Sequence, residues 1–577
     1  MDILYESFHM KYKTKACDDN MTFQDCELAI LRHAVDESEE QSKRELVRND
    51  QIDQIIDVLE EFLVRKQLVC YGGTAINNIL PSEAQFYNRD VEVPDYDFYS
   101  PHALDDAIEL ADIYFKKGYT EVEAKAGVHY GTFKVFVNFT PIADITLLPE
   151  SLFKTIQTEA ISVAGIKYSP PDFLRMNMYL ELSRPKGDVS RWEKVLKRLT
   201  ILNHYYPFSV GFDCHRVNFQ RKMDEIPVIE SAKRGGNDSL HSLRDTSPTP
   251  STAKSPSPSP STAKSPSPSP SPSPLPSSKS PEMQTQEKIY ETVRDTFIDQ
   301  GVVFFGGYAS GLYAKYMPVK QRRLMQKVPD FDVLSESPTR VALIVQERLA
   351  DIGIKKGQCH VVKHESVGEI IPVHYEIRIG KDILAHIYEP VACHSYNEIM
   401  IDGRKIKVGT IDTLLTFYLA FKYANQAYYY PDRIMCMAKF LFDVQQENRL
   451  EQKGMLKRFS IECVGKQATL DDMRVEKSEK FKELANQRGT REYDMWFLKY
   501  NPAKPDSKES KDGKSKGKLC ACSKKTPAPA PESVKKSIKM TPTLIPTPTP
   551  KKTHHRRVKP KANRTKKQAA LVKLFGK

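Results

Sequence analysis

Asp95 and Asp97 lie two apart in "VPDYDFYSP", and a third acid, Asp144, sits in "PIADITLL". In an extended strand residues i and i+2 point to one face, so the first two carboxylates are expected to project together. Like charges held that close are costly unless a cation neutralises them. Magnesium suits such a set, because it takes hard oxygen ligands and keeps positions open for substrate phosphates. Three carboxylates can hold two ions, one lowering the pKa of an attacking hydroxyl and the other stabilising a leaving pyrophosphate. In that scheme Asp144 binds beside the hydroxyl and helps to withdraw its proton. Upstream, Gly72, Gly73 and Thr74 follow the apolar run "LVCY" and open a helix expected to start near Thr74. Glycines there let the backbone approach a ligand, and a helix start offers free amides to a phosphate. A Gly-Gly turn or a D-x-D pair alone is common, and a D-x-D also marks metal sites in glycosyltransferases. Together with a third acid on another strand they point to nucleotidyl transfer.

The elements that carry these residues occur twice. "QIDQIIDVLEEFLVRK" leads into "QLVCYGGTAIN", and "EKIYETVRDTFIDQ" leads into "GVVFFGGYASG". Each reads as a 3.6-period helix, a short apolar strand and a Gly-Gly turn opening another helix. "VPDYDFYSP" is answered by "VPDFDVLSESP", 21 residues separating Gly73 from Asp95 and 22 separating Gly307 from Asp330. "FKVFVNFTPIADITLLPE" then aligns without gaps to "YEIRIGKDILAHIYEPVA". Three matches in one order imply an internal duplication. The second copy keeps Gly306, Gly307, Asp330 and Asp332 but places His386 where the first has Asp144. An imidazole is a poor magnesium ligand, so this copy is expected not to catalyse. It is expected to pack on the first copy or to offer a polyanionic partner a surface, RNA if the resemblance given below holds, with "KQRRLMQK" (320–327) as its cationic run.

In "SRWEKVLKRL", Arg191, Lys194, Lys197 and Arg198 fall at helical spacings and are expected to present a cationic stripe to a triphosphate. The alternative is a solvated face beside core Trp192, Val195, Leu196 and Leu199.

Composition sets the frame. With 577 residues, 40% hydrophobic and 28% charged, the chain is expected to be soluble, intracellular and divided into several domains. It shows neither a secretory signal nor an apolar run of about 18–20 residues, the length of a membrane span. Ten cysteines, none in a C-x-x-C pair, are expected to be reduced thiols. Residues 501–577 hold 22 Lys and Arg against 4 Asp and Glu; the chain's net +12 therefore leaves −6 for residues 1–500. Such a basic tail attracts nucleic acid by releasing counterions, or serves as an import signal. Residues 236–283, with "STAKSPSPSP" twice, read as an extended linker with nothing to bury. The expected division is 1–235, the linker 236–283, a second unit 284–500 and the tail 501–577.

At "CYGGTAIN", "VPDYDFYSP" and "PIADITLLP" the chain resembles the DNA polymerase β nucleotidyltransferase superfamily. More narrowly, it is similar to the poly(A) polymerase catalytic subunits of poxviruses and giant DNA viruses. "PPDFLRMNMYLELSRPKGDVSRWEKVLKRLTILN" resembles the helical segment that follows in that group. The resemblance implies a mixed sheet with flanking helices; with the duplication, the expected fold is α/β (α+β): two tandem nucleotidyltransferase-like mixed-sheet units with flanking helices, the second degenerate. It implies polyadenylation of mRNA 3′ ends from ATP with Mg2+, or Mn2+ in its place. Asp95, Asp97 and Asp144 would be catalytic and metal-binding; Gly72, Gly73, Thr74, Arg191, Lys194, Lys197 and Arg198 would bind nucleotide. It implies RNA and ATP as partners and no membrane, with a homodimer or a separate processivity partner as alternatives. Host cytoplasm and the virion of a large DNA virus are the implied locations. A uridylyl- or tRNA-type transferase and a non-catalytic RNA-binding scaffold are the competing readings. The gap between Gly-Gly and D-x-D is longer than in most of the superfamily.

Overall fold

The first half of the chain runs α1 (Phe23–Val47), α2 (Asp50–Lys66), β1 (Val69–Tyr71), α3 (Gly72–Ile79), β2 (Tyr96–Ser100), α4 (Ala103–Lys116) and β3 (Val122–Ala126). It continues with β4 (Thr132–Val137), β5 (Thr140–Leu147), α5 (Glu150–Glu159), β6 (Ile161–Val163), β7 (Ile166–Tyr168), α6 (Pro171–Leu182) and α7 (Trp192–Tyr205). The second half repeats the plan with α8 (Pro281–Asp299), β8 (Val303–Phe304), α9 (Gly307–Tyr313), α10 (Val319–Arg322), β9 (Phe331–Leu334), α11 (Pro338–Asp351) and β10 (Cys359–His364). Then come β11 (His374–Ile379), β12 (Asp382–Tyr388), β13 (His394–Ile401), β14 (Arg404–Gly409), α12 (Ile411–Ala424), α13 (Pro431–Glu447) and β15 (Cys463–Val464). The described residues close with α14 (Leu470–Glu483), α15 (Arg491–Phe497) and β16 (Lys499–Tyr500). This computed structural model describes residues 17, 21–47, 50–87, 94–219, 281–325, 329–424, 426 and 429–504. Most of the Ser/Pro stretch, up to residue 280, and the tail from 505 lie outside the described residues.

Periodicity explains the layers. In α2, Ile52, Ile55, Ile56, Leu59, Phe62 and Leu63 are buried, an apolar stripe of helical spacing that packs toward α4 and β7. In β4 every second residue is buried, and α4 covers that face of β3, β4 and β5. The opposite residues, Lys134 among them, stay on an open face.

The two sheets share one plan. The first is ordered β16-β3-β4-β5-β2-β1-β7-β6 and the second β10-β11-β12-β9-β8-β14-β13-β15. Seven strands correspond one to one, with matching parallel and antiparallel neighbours. Each sheet gains its eighth strand at the opposite edge. For the first sheet this is β16, which pairs with β3 after the chain has left the second sheet. The two copies meet where α6 packs on α12. Phe173 and Tyr423 touch edge to face at 5.0 Å there, and Lys422 bridges Glu159 and Asp172.

α3 spans Gly72–Ile79, in line with a helix start near Thr74, and Gly72 at φ +72° makes the turn from strand to helix. One local expectation is corrected. The thiols are not all reduced: Cys17–Cys26, Cys214–Cys436 and Cys393–Cys463 are disulfides, whereas Cys70 and Cys359 are buried free thiols. Cys214 and Cys436 stand 222 residues apart, so only the packing of α13 on the segment after α7 brings them together. Cys520 and Cys522 lie outside the described residues. Among the described residues no helix is long and apolar enough to cross a membrane.

Candidate active site

Asp97 and Asp144 stand directly opposite one another on the parallel neighbours β2 and β5. Asp95 immediately precedes β2, where its backbone carbonyl accepts a hydrogen bond from Thr74 Oγ1 at 2.5 Å. Gly72 closes the other side, and a Cβ there would stand 2.5 Å from Asp97 Oδ2. Burial pushes the Asp97 carboxyl up to about 7, with Asp95 and Asp144 adding to the rise and Lys134 and Arg191 opposing it. The tyrosine before the glycines, Tyr71, faces Asp97 on β1 and shares a hydrogen bond with Thr146 Oγ1 at 2.9 Å. Burial, and then the Asp97 charge, push its phenol well above the usual range.

One site residue escaped the sequence reading. Lys134, opposite Asp144 on β4, forms an ion pair with its carboxylate. Alternation along "FKVFV" was the available signal, since it puts the lysine on the face away from Phe133 and Val135. Among the described residues no group of three or more His, Cys, Asp or Glu side chains converges closely enough to hold a metal ion. The donor set nevertheless fits a hard cation: two carboxylates face one another, the charge of Asp95 also acts on Asp97, and the missing Cβ of Gly72 leaves Asp97 room.

The cationic stripe divides. Arg198 reaches back over the Gly-Gly turn, where it donates to the Tyr87 hydroxyl at 2.5 Å and lies 5.0 Å from the Phe86 ring centroid. A Cβ on Gly73 would collide with both Tyr87 and Arg198. Arg191 precedes α7 and pairs with Glu181 at 3.1 Å, yet its charge still reaches Asp97. Lys197 pairs with Glu193 one turn earlier on the exposed side, and Lys194 is exposed. Adjacent helical residues point about 100° apart, so Lys197 and Arg198 cannot serve one ligand together.

Residues 57–188 match the poly(A) polymerase catalytic subunit family. That stretch holds the glycines and all three acids. The chain is similar to the putative poly(A) polymerase catalytic subunit of African swine fever virus (isolate Tick/Malawi/Lil 20-1/1983). The two are 31% identical over 191 residues, which is 32% of this chain and 39% of that protein. It is 35% identical over 177 residues to the protein of that description from Acanthamoeba polyphaga mimivirus, covering 30% of this chain and 29% of that one. The chain thus matches about two fifths or less of the length of these curated relatives. Its fold is that of the Megavirus polyadenylate synthase crystal structure: TM-score 0.60 and 17% identity, over 85% of this chain and 88% of that one. The poly(A) polymerase match ends before α7, so Arg198 approaches the glycines from outside the matched stretch.

The second copy, beyond the poly(A) polymerase match, fills its site differently. Asp332 packs against Gly306 and faces His386, whose Nδ1 lies 3.4 Å away. Arg433 from α13 puts its guanidinium 3.3 Å from Asp330 Oδ2 and 4.7 Å from the Tyr430 ring centroid. Lys320, Arg322 and Arg323 of the expected cationic run lie on or just after α10, and Lys327 is outside the described residues.

Proposed function

We propose that the chain is a nucleotidyltransferase that extends the 3′ end of RNA with adenylate from ATP. The observation that carries this reading is Asp97 set opposite Asp144 beside Gly72, within the stretch that matches the poly(A) polymerase catalytic subunit family. In this reading the 3′ oxygen of RNA bonds to the α-phosphorus of ATP, the α–β bridging bond breaks, and pyrophosphate leaves. Asp144 takes the hydroxyl proton. The amides at the start of α3 bind the phosphates, with Gly73 giving them approach and Arg198 meeting the triphosphate from α7. Asp95, Asp97 and Asp144 would hold Mg2+, which when bound supplies Lewis-acid stabilisation of the charge on the oxygens. For that, Lys134 must release Asp144. Catalysis is assigned to the unit within 1–235, completed by the strand at 499–500, and no turnover to the unit within 284–500. Host cytoplasm and virion are the locations proposed with this activity.

Primer extension with each NTP in turn, on the wild type and on Asp97→Ala, tests the reading. Incorporation of ATP alone, lost in the variant, supports it. Incorporation of UTP or of a fixed short sequence points instead to the uridylyl- or tRNA-type enzymes. RNA binding with no incorporation of any NTP replaces it with a scaffold.

A further inference from the structure

The open face of the first sheet carries a second pattern beside the carboxylates. Residues directly opposite one another on neighbouring strands share a face. From Asp97 the successive partners are Asp144 on β5, Lys134 on β4, Lys125 on β3 and Lys499 on β16. Three lysines therefore stand in line, leading away from the acids toward the sheet edge. With strands about 4.8 Å apart, the Cα of Lys499 lies about 14 Å from that of Asp144. The side chains of Lys134 and Lys125 are each 42% exposed, and Lys499 is exposed.

Two acids accompany the row. Asp144 pairs with Lys134, and Glu123 Oε2 lies 2.5 Å from Lys125 Nζ. The Phe136 ring lies 5.2 Å from that same ammonium. Lysine on an edge strand also guards against stray pairing. That explains Lys499 but not Lys134 and Lys125, which sit on interior strands. At the hairpin between β3 and β4, half-exposed Tyr130 packs on Trp496 with ring centroids 4.8 Å apart.

We infer that this row is the track of the single-stranded RNA that leads to the reacting 3′ end. The inference rests on the function proposed above. Each ammonium meets a backbone phosphate, and the Tyr130 ring offers a base a stacking face. Contacts to phosphate alone carry no sequence information, which suits an end that grows without a template. The third lysine comes from the segment that returns after the second copy, so that copy's position fixes where the track ends.

The test is anisotropy of a 5′-labelled oligoadenylate on the full chain without ATP, across a salt series. The double variant K125Q/K499Q is expected to weaken binding by about tenfold and to lower the salt slope by about 1.4. Its KM for RNA rises while that for ATP stays, and K125R/K499R restores both readings. The inference is overturned if K125Q/K499Q keeps the wild-type affinity and slope while the wild type extends RNA. Loss of binding in K320E/R322E/R323E but not in K125Q/K499Q overturns it in favour of the second copy. A wild type that extends no RNA removes the proposed function, and the track with it.

Discussion

His386 faces Asp332 across β12 and β9 in the register in which Asp144 faces Asp97 across β5 and β2. The same register position thus holds a carboxylate in one copy and an imidazole in the other. The first leaves two carboxylates facing each other, an arrangement that invites a cation. The second sets an imidazole opposite Asp332 and the Arg433 guanidinium beside Asp330.

Turnover is expected to follow this difference. Asp97→Ala and Asp144→Ala abolish nucleotide addition in primer extension, whereas Asp330→Ala keeps most of the wild-type rate. Asp330→Ala also frees the Arg433 guanidinium and lowers the melting temperature, which calorimetry reads separately. Equal loss of turnover at both D-x-D pairs contradicts the assignment of the silent copy.

Asp97 makes metal-free stability depend on pH. Its folded-state value of about 7 stands above the usual carboxylate value of about 4, so the folded chain keeps a proton that the unfolded chain releases. Stability therefore falls as pH rises from about 4 to about 7 and stays low above that. Asp97→Asn removes the loss. Without divalent metal it should melt above the wild type at about pH 8, with the gap closing toward pH 4. A gap independent of pH speaks against a raised Asp97.

The two glycines should fail differently. Gly72→Ala combines a left-handed backbone, costing about 1–2 kcal/mol in an L residue, with a Cβ pressed on Asp97. It should lose stability and activity together. Gly73→Ala displaces Tyr87 and Arg198, so its main effect should be a raised KM for ATP. Steady-state kinetics with denaturation curves distinguish the two.

Cys214–Cys436 ties the segment after α7 to α13 of the second copy. A cross-link of this kind typically adds about 2–4 kcal/mol. Cys214→Ser should lower the denaturation midpoint accordingly in the absence of reductant. With reductant the variant and wild type should coincide. Peptide mapping under non-reducing conditions checks the pairing itself.

Much of this was legible in the chain. The duplicated Gly-Gly and D-x-D motifs and the alternating "FKVFV" and "PIADITLL" fixed which strands exist and which copy lost an acid, because strand faces follow a period of two. Helical spacing alone grouped Lys197 with Arg198, and it was the environment of α7 that parted them. The thiol expectation rested on an expected intracellular setting and on spacing along the chain, and neither carries information about segments meeting 222 residues apart.

By itself the sequence determined local matters: the periodicities, the acids, the glycine turn and the repeat, all set by chemistry within a few residues. Tertiary structure alone decided the neighbours across strands. It set Lys134 against Asp144, turned Arg198 over Gly73, and returned residue 499 to the edge of a sheet begun at residue 69. The reason is physical: strand order and register are fixed by burying whole apolar faces together, a global condition that no single segment records.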